Sequence, residues 1–193
     1  MPTPWQTFAQ LADDFLIAYA EQSGAATPAL LFTVGHSVEL YLKSTLLHAH
    51  PSTDVTTHGH GVGSMLKKVQ VWNPSLLDTY KLLPSVPGKF MGSPLLPLAA
   101  TADPEYEHYI RHQELYWVAE YLADIKYLGS AHKKLPGTFA VMTCARNPYW
   151  VPFFKELRAY LGWPIAGMWS DPIAHYLARP SALPHARAWL AQL

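Results

Sequence analysis

Between the Thr27-Pro28 pair and Pro51 the chain carries apolar side chains on almost every side of a helical wheel. Thr27 and Pro28 form an N-cap and first-turn proline, and Pro51 forbids continuation, so the spacing predicts a helix reaching about His48. Leu31, Val34, Val38, Tyr41, Leu42 and Thr45 make one stripe, while Leu30, Leu40 and Leu47 add apolar surface on another side. A helix that is apolar on more than one face needs partners on more than one face. It is therefore expected at the centre of the fold, and its polar line is short: His36, Glu39 and Lys43.

The flanking segments supply those partners. From Thr7 to Gln22, Phe8, Leu11, Ala12, Phe15, Leu16 and Tyr19 recur at helical spacing until Ser23-Gly24 breaks the pattern. A Thr-, His- and Gly-rich loop over His50–Gly63 precedes a short helix around Ser64–Trp72, and Asn73-Pro74 is expected to start another through Leu83. Pro84, Pro87, Gly88, Gly92, Pro94 and Pro97 then predict a long surface loop over 84–97, read as a lid, an arm or an insertion. After Asp103-Pro104-Glu105 one long helix is expected to about Leu128, closed by Gly129, with Ile110, Trp117, Tyr121, Leu122, Ile125 and Leu128 inward and Tyr106, Tyr109 and Tyr116 beside them. Thr138–Thr143 reads as a short strand with nothing to pair with. Two further helices are expected at Pro152–Leu161 and Ala182–Leu193, with Trp163, Pro164, Trp169, Pro172 and Pro180 forming an irregular wrap between them. The sum is an all-α antiparallel helical bundle of about five to seven helices. It is expected to be a single domain over 1–193, with a core over about 5–134 and a proline- and aromatic-rich C-terminal extension over about 135–193.

Charge narrows the function classes. Only 15% of the 193 residues are charged and 50% are hydrophobic, with 14 basic side chains against 14 acidic ones, so disorder and strong non-specific DNA binding are excluded. The cations Lys67, Lys68, Arg111, Lys126, Lys133, Lys134, Arg146, Lys155, Arg158 and Arg179 are scattered. A single cysteine, Cys144, rules out an intramolecular disulfide and fits a reducing compartment. Met1–Gln10 shows neither a cationic nor an apolar leader pattern, and no run approaches the ~18 apolar residues of a membrane span. A soluble cytoplasmic protein with no membrane partner and no cofactor is expected.

Four groups of residues are candidates for chemistry. Ten histidines occur, and His48, His50, His58 and His60 cluster around Asp54 as two His-x-His pairs, a pattern whose imidazoles suit zinc or nickel. Glu105-x-x-His108 with His112 places a carboxylate and two imidazoles on one helix face, or serves simply as an acidic helix start. His36, Glu39 and Lys43, if met by Glu120, Asp124 and Lys126 from the long helix, would make a buried network or pocket; Glu39 and Lys43 are equally a favourable solvent-exposed pair. Cys144, near Arg146, lacks a fixed histidine and reads as a core residue, and Gly59–Gly63 lacks the lysine and strand of a phosphate-binding loop.

Gly35-His36-Ser37-Val38-Glu39-Leu40-Tyr41-Leu42-Lys43, the histidine-rich loop, and Gly59-His60-Gly61-Val62 leading to Met65-Leu66 together resemble the HEPN superfamily of helical domains. The "glutamate, two residues, leucine-lysine" pattern of that family falls on Glu39 to Lys43 and its Gly-His pair on Gly59-His60, over roughly Phe8 to Val69. The resemblance implies a helical bundle, frequently a homodimer. Many relatives are metal-independent ribonucleases of bacterial defence or toxin systems, and others are non-catalytic partners of nucleotidyltransferases. The active ones carry an arginine, four to six residues, then a histidine. Here Arg111 is followed at once by His112, with Tyr116 at the spacing where histidine is required, and Arg146-Asn147 runs into proline. Arg179 and His185 have five residues between them, but Pro180 and Pro184 lie in the interval. The expectation is an HEPN-like, non-catalytic binding or accessory module for a nucleotide, RNA or protein partner, its ligand face made by His36, Glu39, Lys43, His60, Glu120, Asp124 and Lys126. The alternatives are a metal-independent ribonuclease using Arg179 with His185 or Arg111 with His112, and a bundle binding metal through His48, His50, His58 and His60.

Overall fold

The computed structural model describes residues 3–22, 28–82, 104–126, 147–165 and 171–193. They form eight α-helices: α1 Pro4–Glu21, α2 Pro28–Ala49, α3 Val62–Trp72, α4 Pro104–Arg111, α5 Gln113–Lys126, α6 Trp150–Leu161, α7 Pro172–Ala178 and α8 Pro184–Leu190. Two 3-10 turns, Thr56–His58 and Asp78–Tyr80, complete the elements, and no strand occurs among the described residues. The fold is an all-α bundle. The proline-rich loop at 84–97, the Thr138–Thr143 strand, Cys144, Arg146 and Trp169 lie outside the described residues, as do the side chains of Tyr121, Asp124, Ile125 and Lys126. No helix among the described residues is long and apolar enough to cross a membrane.

α2 is central because its sequence leaves it no exposed apolar face to spare. Leu31, Val34, Val38, Tyr41 and Leu42 are fully buried, and Leu30, Leu40 and Leu47 on its other side are buried as well. α1, α3, α5 and α6 all pack on it, while α7 and α8 lie against α1. Gly35 permits the close approach of α5: a Cβ at that position would sit 2.8 Å from Leu122 Cδ1 and 3.3 Å from the Val118 methyls. The C-terminal segment reaches the core too, since Trp150, Phe153, Phe154 and Leu157 of α6 are fully buried.

Four local expectations differ from the structure. In α1 the buried line is Ala9, Ala12, Asp13, Leu16, Tyr19 and Ala20, whereas Leu11 is 44% exposed and Phe8 and Phe15 only half-buried. The helix is rotated relative to its most apolar stripe because a buried aspartate has to face inward. The long helix is interrupted at His112, whose N–H still reaches the His108 carbonyl (3.1 Å), and its ring turns into a pocket of Tyr80 and Tyr149. Of the expected Asn73–Leu83 helix, the described residues 73–82 form a turn and a 3-10 segment rather than an α-helix. Leu77 there adopts a left-handed conformation, φ 57°, its N–H captured by the Glu156 carboxylate and its carbonyl by Gln70 Nε2 (2.6 Å). Tertiary hydrogen bonds thus override local helix propensity. Finally, the wrap before Ala182 contains α7, started by Asp171, whose side chain accepts the Ile173 N–H (3.0 Å) with Pro172 in the first turn.

The buried side chains of Asp13, Arg158 and Glu114 tie the helices of the bundle together. Asp13 of α1 accepts hydrogen bonds from Tyr41 of α2, from Arg158 of α6 and, at 2.9 Å, from Trp163 Nε1. Trp163 is brought there by Gly162, left-handed at φ 59°, which ends α6 and lets the Trp163 N–H return to the Arg158 carbonyl at 2.9 Å. Glu114 of α5 accepts from Asn147 Nδ2 and Trp150 Nε1, both at 2.6 Å, and burial pushes its carboxyl up. Replacing Arg158 with Met strands the Asp13 carboxylate without its counter-charge, and is expected to cost about 3–5 kcal/mol of stability. The loss is read as a lower urea midpoint, and adding Asp13→Asn in the same chain should recover part of it; a midpoint unchanged by Arg158→Met contradicts this role for the pair.

Candidate functional site

On α2 the positions His36, Glu39 and Lys43 follow one another at three- and four-residue spacing and so share a face. Glu39 is only 1% exposed, yet its carboxylate is fully engaged. Lys43 Nζ lies 2.6 Å from Oε1, while His60 Nδ1 donates to Oε2 at 2.9 Å and His36 Nδ1 stands 3.3 Å from that same oxygen. Burial pushes this carboxyl up, but the imidazole of His36, the Lys43 ammonium and His60 outweigh it and hold the pKa down at about 2. The group is an ionised carboxylate over the whole physiological range.

His60 arrives from outside α2 through backbone geometry. Gly59, at φ 51°, takes the left-handed conformation that glycine adopts without strain, and Gly61 precedes α3 with its N–H on the His58 carbonyl (2.8 Å). A Cβ on Gly61 would meet Ser64 Oγ at 2.8 Å and the His58 carbonyl at 3.0 Å, so the Gly-His-Gly run turns the chain tightly enough to aim His60 at α2. His36 is held by aromatic neighbours, edge-on to Phe15 (4.6 Å) and stacked on Phe32 (5.3 Å). Its Nδ1 is buried and makes no hydrogen bond. The side chains of His36 and His60 remain 16% and 18% exposed, so solvent reaches the edge of the cluster.

The remaining sequence candidates go elsewhere. Of His48, His50, His58 and His60 only the last joins this group: His48, in the last turn of α2, packs edge-on between Trp5 and Tyr160, His50 meets the Trp72 ring at 4.1 Å, and His58 has a buried Nε2 without a partner. Asp54 accepts the Thr56 N–H (2.9 Å) and hydroxyl (2.6 Å), which makes it the organiser of the 3-10 turn. Glu120 sits on the exposed side of α5, and Asp124 and Lys126 have side chains outside the described residues. Arg111 pairs with Glu107 at 2.9 Å on the surface, both 67% exposed, while the adjacent His112 faces inward with Nδ1 2.9 Å from the Tyr149 hydroxyl. His108 donates to the Lys81 carbonyl at 2.7 Å, and its ring lies 4.5 Å from that of His112. Arg179 ends α7, where its carbonyl accepts from Arg187 (2.7 Å), and His185 turns from α8 to the Glu21 carbonyl (3.3 Å). Neither arginine-histidine pair is drawn together around a common point by these contacts.

Two imidazoles and an ionised carboxylate can receive hydrogen-bond donors or a cation. Among the described residues His36, Glu39 and His60 form the group able to offer three metal-ligand atoms, all within 4.8 Å of one another. Comparison of the chain with family models, with curated proteins and with solved structures gives no match.

His112 provides a pH signature separate from this cluster. Burial, with Arg111 and His108 nearby, lowers its pKa from 6.5 to about 4, so in the fold its ring is neutral where the unfolded chain would protonate it. The unfolded state then takes up more protons between those values, so stability is fully present above pH 6.5 and declines as pH falls toward 4. Denaturant unfolding at pH 7 and pH 5 should show this decline, and His112→Gln should flatten it; a variant that keeps the full slope would assign the acid sensitivity elsewhere.

Proposed function

We propose that this chain is an HEPN-like, non-catalytic binding module whose ligand site is the Glu39 cluster at the junction of α2 and α3. The observation that supports this reading is a charged network inside a helix bundle: a carboxylate at 1% exposure, with an ammonium and two imidazoles gathered on it and solvent at its edge. Buried ion pairs are weak contributors to stability compared with apolar packing, so one placed on the central helix beside solvent is better suited to recognition than to holding the fold. The resemblance of Glu39–Lys43 and Gly59-His60 to the HEPN pattern supports the same place on the chain. The resemblance further implies a homodimer acting with a nucleotide, RNA or protein partner in a bacterial defence or toxin-antitoxin setting, and the single cysteine fits a cytoplasmic location. The ribonuclease reading has less support: Arg111 is spent on Glu107, His112 on Tyr149, and His185 on a backbone carbonyl.

Two measurements on the untagged full chain test the proposal. A fluorophore-quencher RNA should be cleaved no faster than in buffer, and His185→Ala and Arg179→Ala should change nothing; cleavage that is lost in a folded His185→Ala protein installs the ribonuclease. Native mass spectrometry of the protein as taken from cells should show an added mass that Glu39→Gln removes. A spectrum free of any adduct or partner, in both proteins, counts against a ligand at this site.

A further inference from the structure

We propose that His36, Glu39 and His60 form a binding site for one divalent transition-metal ion of the zinc, cobalt or nickel class. The inference rests on the Glu39 cluster being the ligand site and names its occupant.

The donor set is the first argument. Two imidazole nitrogens and one carboxylate oxygen are the ligands that borderline ions accept, whereas calcium and magnesium require shells made of oxygen. Spacing is the second. Around a tetrahedral ion with bonds of about 2.0–2.1 Å, ligand atoms lie about 3.3 Å apart. Here the two imidazole Nδ1 atoms lie 2.9 and 3.3 Å from one Glu39 oxygen, and the three ligand atoms fall within 4.8 Å of one another. Closing on an ion therefore asks for side-chain adjustments and for the His60 ring to pass to its Nε2–H tautomer, so that the Nδ1 now donating to Glu39 offers its lone pair to the metal.

Pre-organisation is the third. The second Glu39 oxygen is already held by Lys43 at 2.6 Å, which leaves Oε2 to act as a single ligand oxygen and supplies the outer hydrogen bond that metal carboxylates commonly have. Phe15 and Phe32 fix the His36 ring, and the Gly59 and Gly61 turns fix His60. Fourth, His36 Nδ1 is buried without a hydrogen-bond partner, although it stands beside the carboxylate. An unsatisfied buried nitrogen is costly, and coordination removes the cost. Three protein ligands leave a fourth position for water or a donor from a partner, and the partly exposed imidazoles put that position on the solvent side. Lys43 cancels the charge of Glu39, so affinity comes chiefly from the imidazoles, and the order of binding should follow nitrogen affinity, with nickel and zinc well ahead of magnesium.

The untagged full chain, stripped with a chelator and then titrated with Co2+, is expected to bind one equivalent and to develop the visible d–d absorption of a low-coordinate cobalt ion. Zn2+ should displace that signal, and a large excess of Mg2+ should leave it intact. His36→Gln and His60→Gln should each weaken binding about 100-fold or more, while His48→Gln, His50→Gln and His58→Gln leave it unchanged. Where a site variant fails to fold, the unmodified chain carries the test through its Tm, which must rise with Zn2+ in proportion to ln(1 + [Zn2+]/Kd). No cobalt spectrum and no Tm shift overturn the proposal, as does binding that survives both site variants and disappears in the loop variants. Native mass spectrometry separates the two levels of inference: a non-metal adduct lost in Glu39→Gln overturns the metal and keeps the binding module, whereas neither metal nor adduct overturns both.

Discussion

Arg158 meets Asp13 in the middle of the bundle, where water cannot share the work of solvating either charge. Taking two ions out of water costs several kcal/mol each, and their attraction offsets this only if the remaining hydrogen-bonding capacity is also used. Here it is used. One Asp13 oxygen receives both the guanidinium and the Tyr41 hydroxyl, the other receives the Trp163 indole, and Arg158 also donates to Tyr41 at 2.9 Å. Burial pushes the Asp13 carboxyl up and Arg158, Tyr41 and Trp163 offset this only in part, so the pair holds only as long as α1, α2 and α6 keep their mutual register. The rotation of α1, the glycine turn after α6 and the placement of Trp163 all follow from satisfying this one carboxylate.

Two residues before Tyr41, and roughly on the opposite side of α2 at ~100° per residue, Glu39 presents the same problem with a different solution. Its oxygens are engaged by Lys43 and His60, but the third neighbour, His36, stands 3.3 Å from the same carboxylate with its buried Nδ1 making no hydrogen bond, and both imidazoles reach solvent. The Asp13 network is closed in on itself, whereas the Glu39 network has donor capacity to spare and an edge open to the outside. A fully satisfied interior ion group specifies packing; an under-satisfied one at a solvent-reaching junction is suited to a ligand.

How much of this is visible in the residues depends on whether a contact is periodic or long-range. The centrality of α2, with Leu31, Val34, Val38, Tyr41 and Leu42 buried as their spacing requires, is a property of one helix and is legible. The shared face of His36, Glu39 and Lys43 is legible for the same reason, and the Gly-His pair pointed to His60. The interior charges leave no mark in apolar periodicity, although each occupies a core position: Asp13 lies four residues after Ala9 and three before Leu16, Arg158 four after Phe154, Glu114 four before Val118. Hydrophobic stripes drawn by side-chain type pass over such residues, and in α1 that displaces the stripe onto Leu11. The separation of His48, His50 and His58 from His60 was not legible, because it depends on Trp5, Tyr160 and Trp72 claiming the first two rings from other parts of the chain. Leu77 is a similar case, since Glu156, far along the chain, decides its backbone.

The placement of charge also bears on how a partner would be recognised. With equal numbers of acidic and basic residues in the chain, the members that could project a field include several turned inward or bound to a neighbour: Asp13 with Arg158, Glu39 with Lys43, and Glu114 on its two donors. Such arrangements contribute little beyond their immediate surroundings, and a chain whose 14 basic side chains balance 14 acidic ones has no net charge with which to steer a partner over a Debye length of about 10 Å. Selectivity in a chain built this way has to come from contacts of hydrogen-bond or coordination range. The Glu39 junction offers three donor atoms within one small ion's reach, so it meets that requirement without needing a field to gather its ligand.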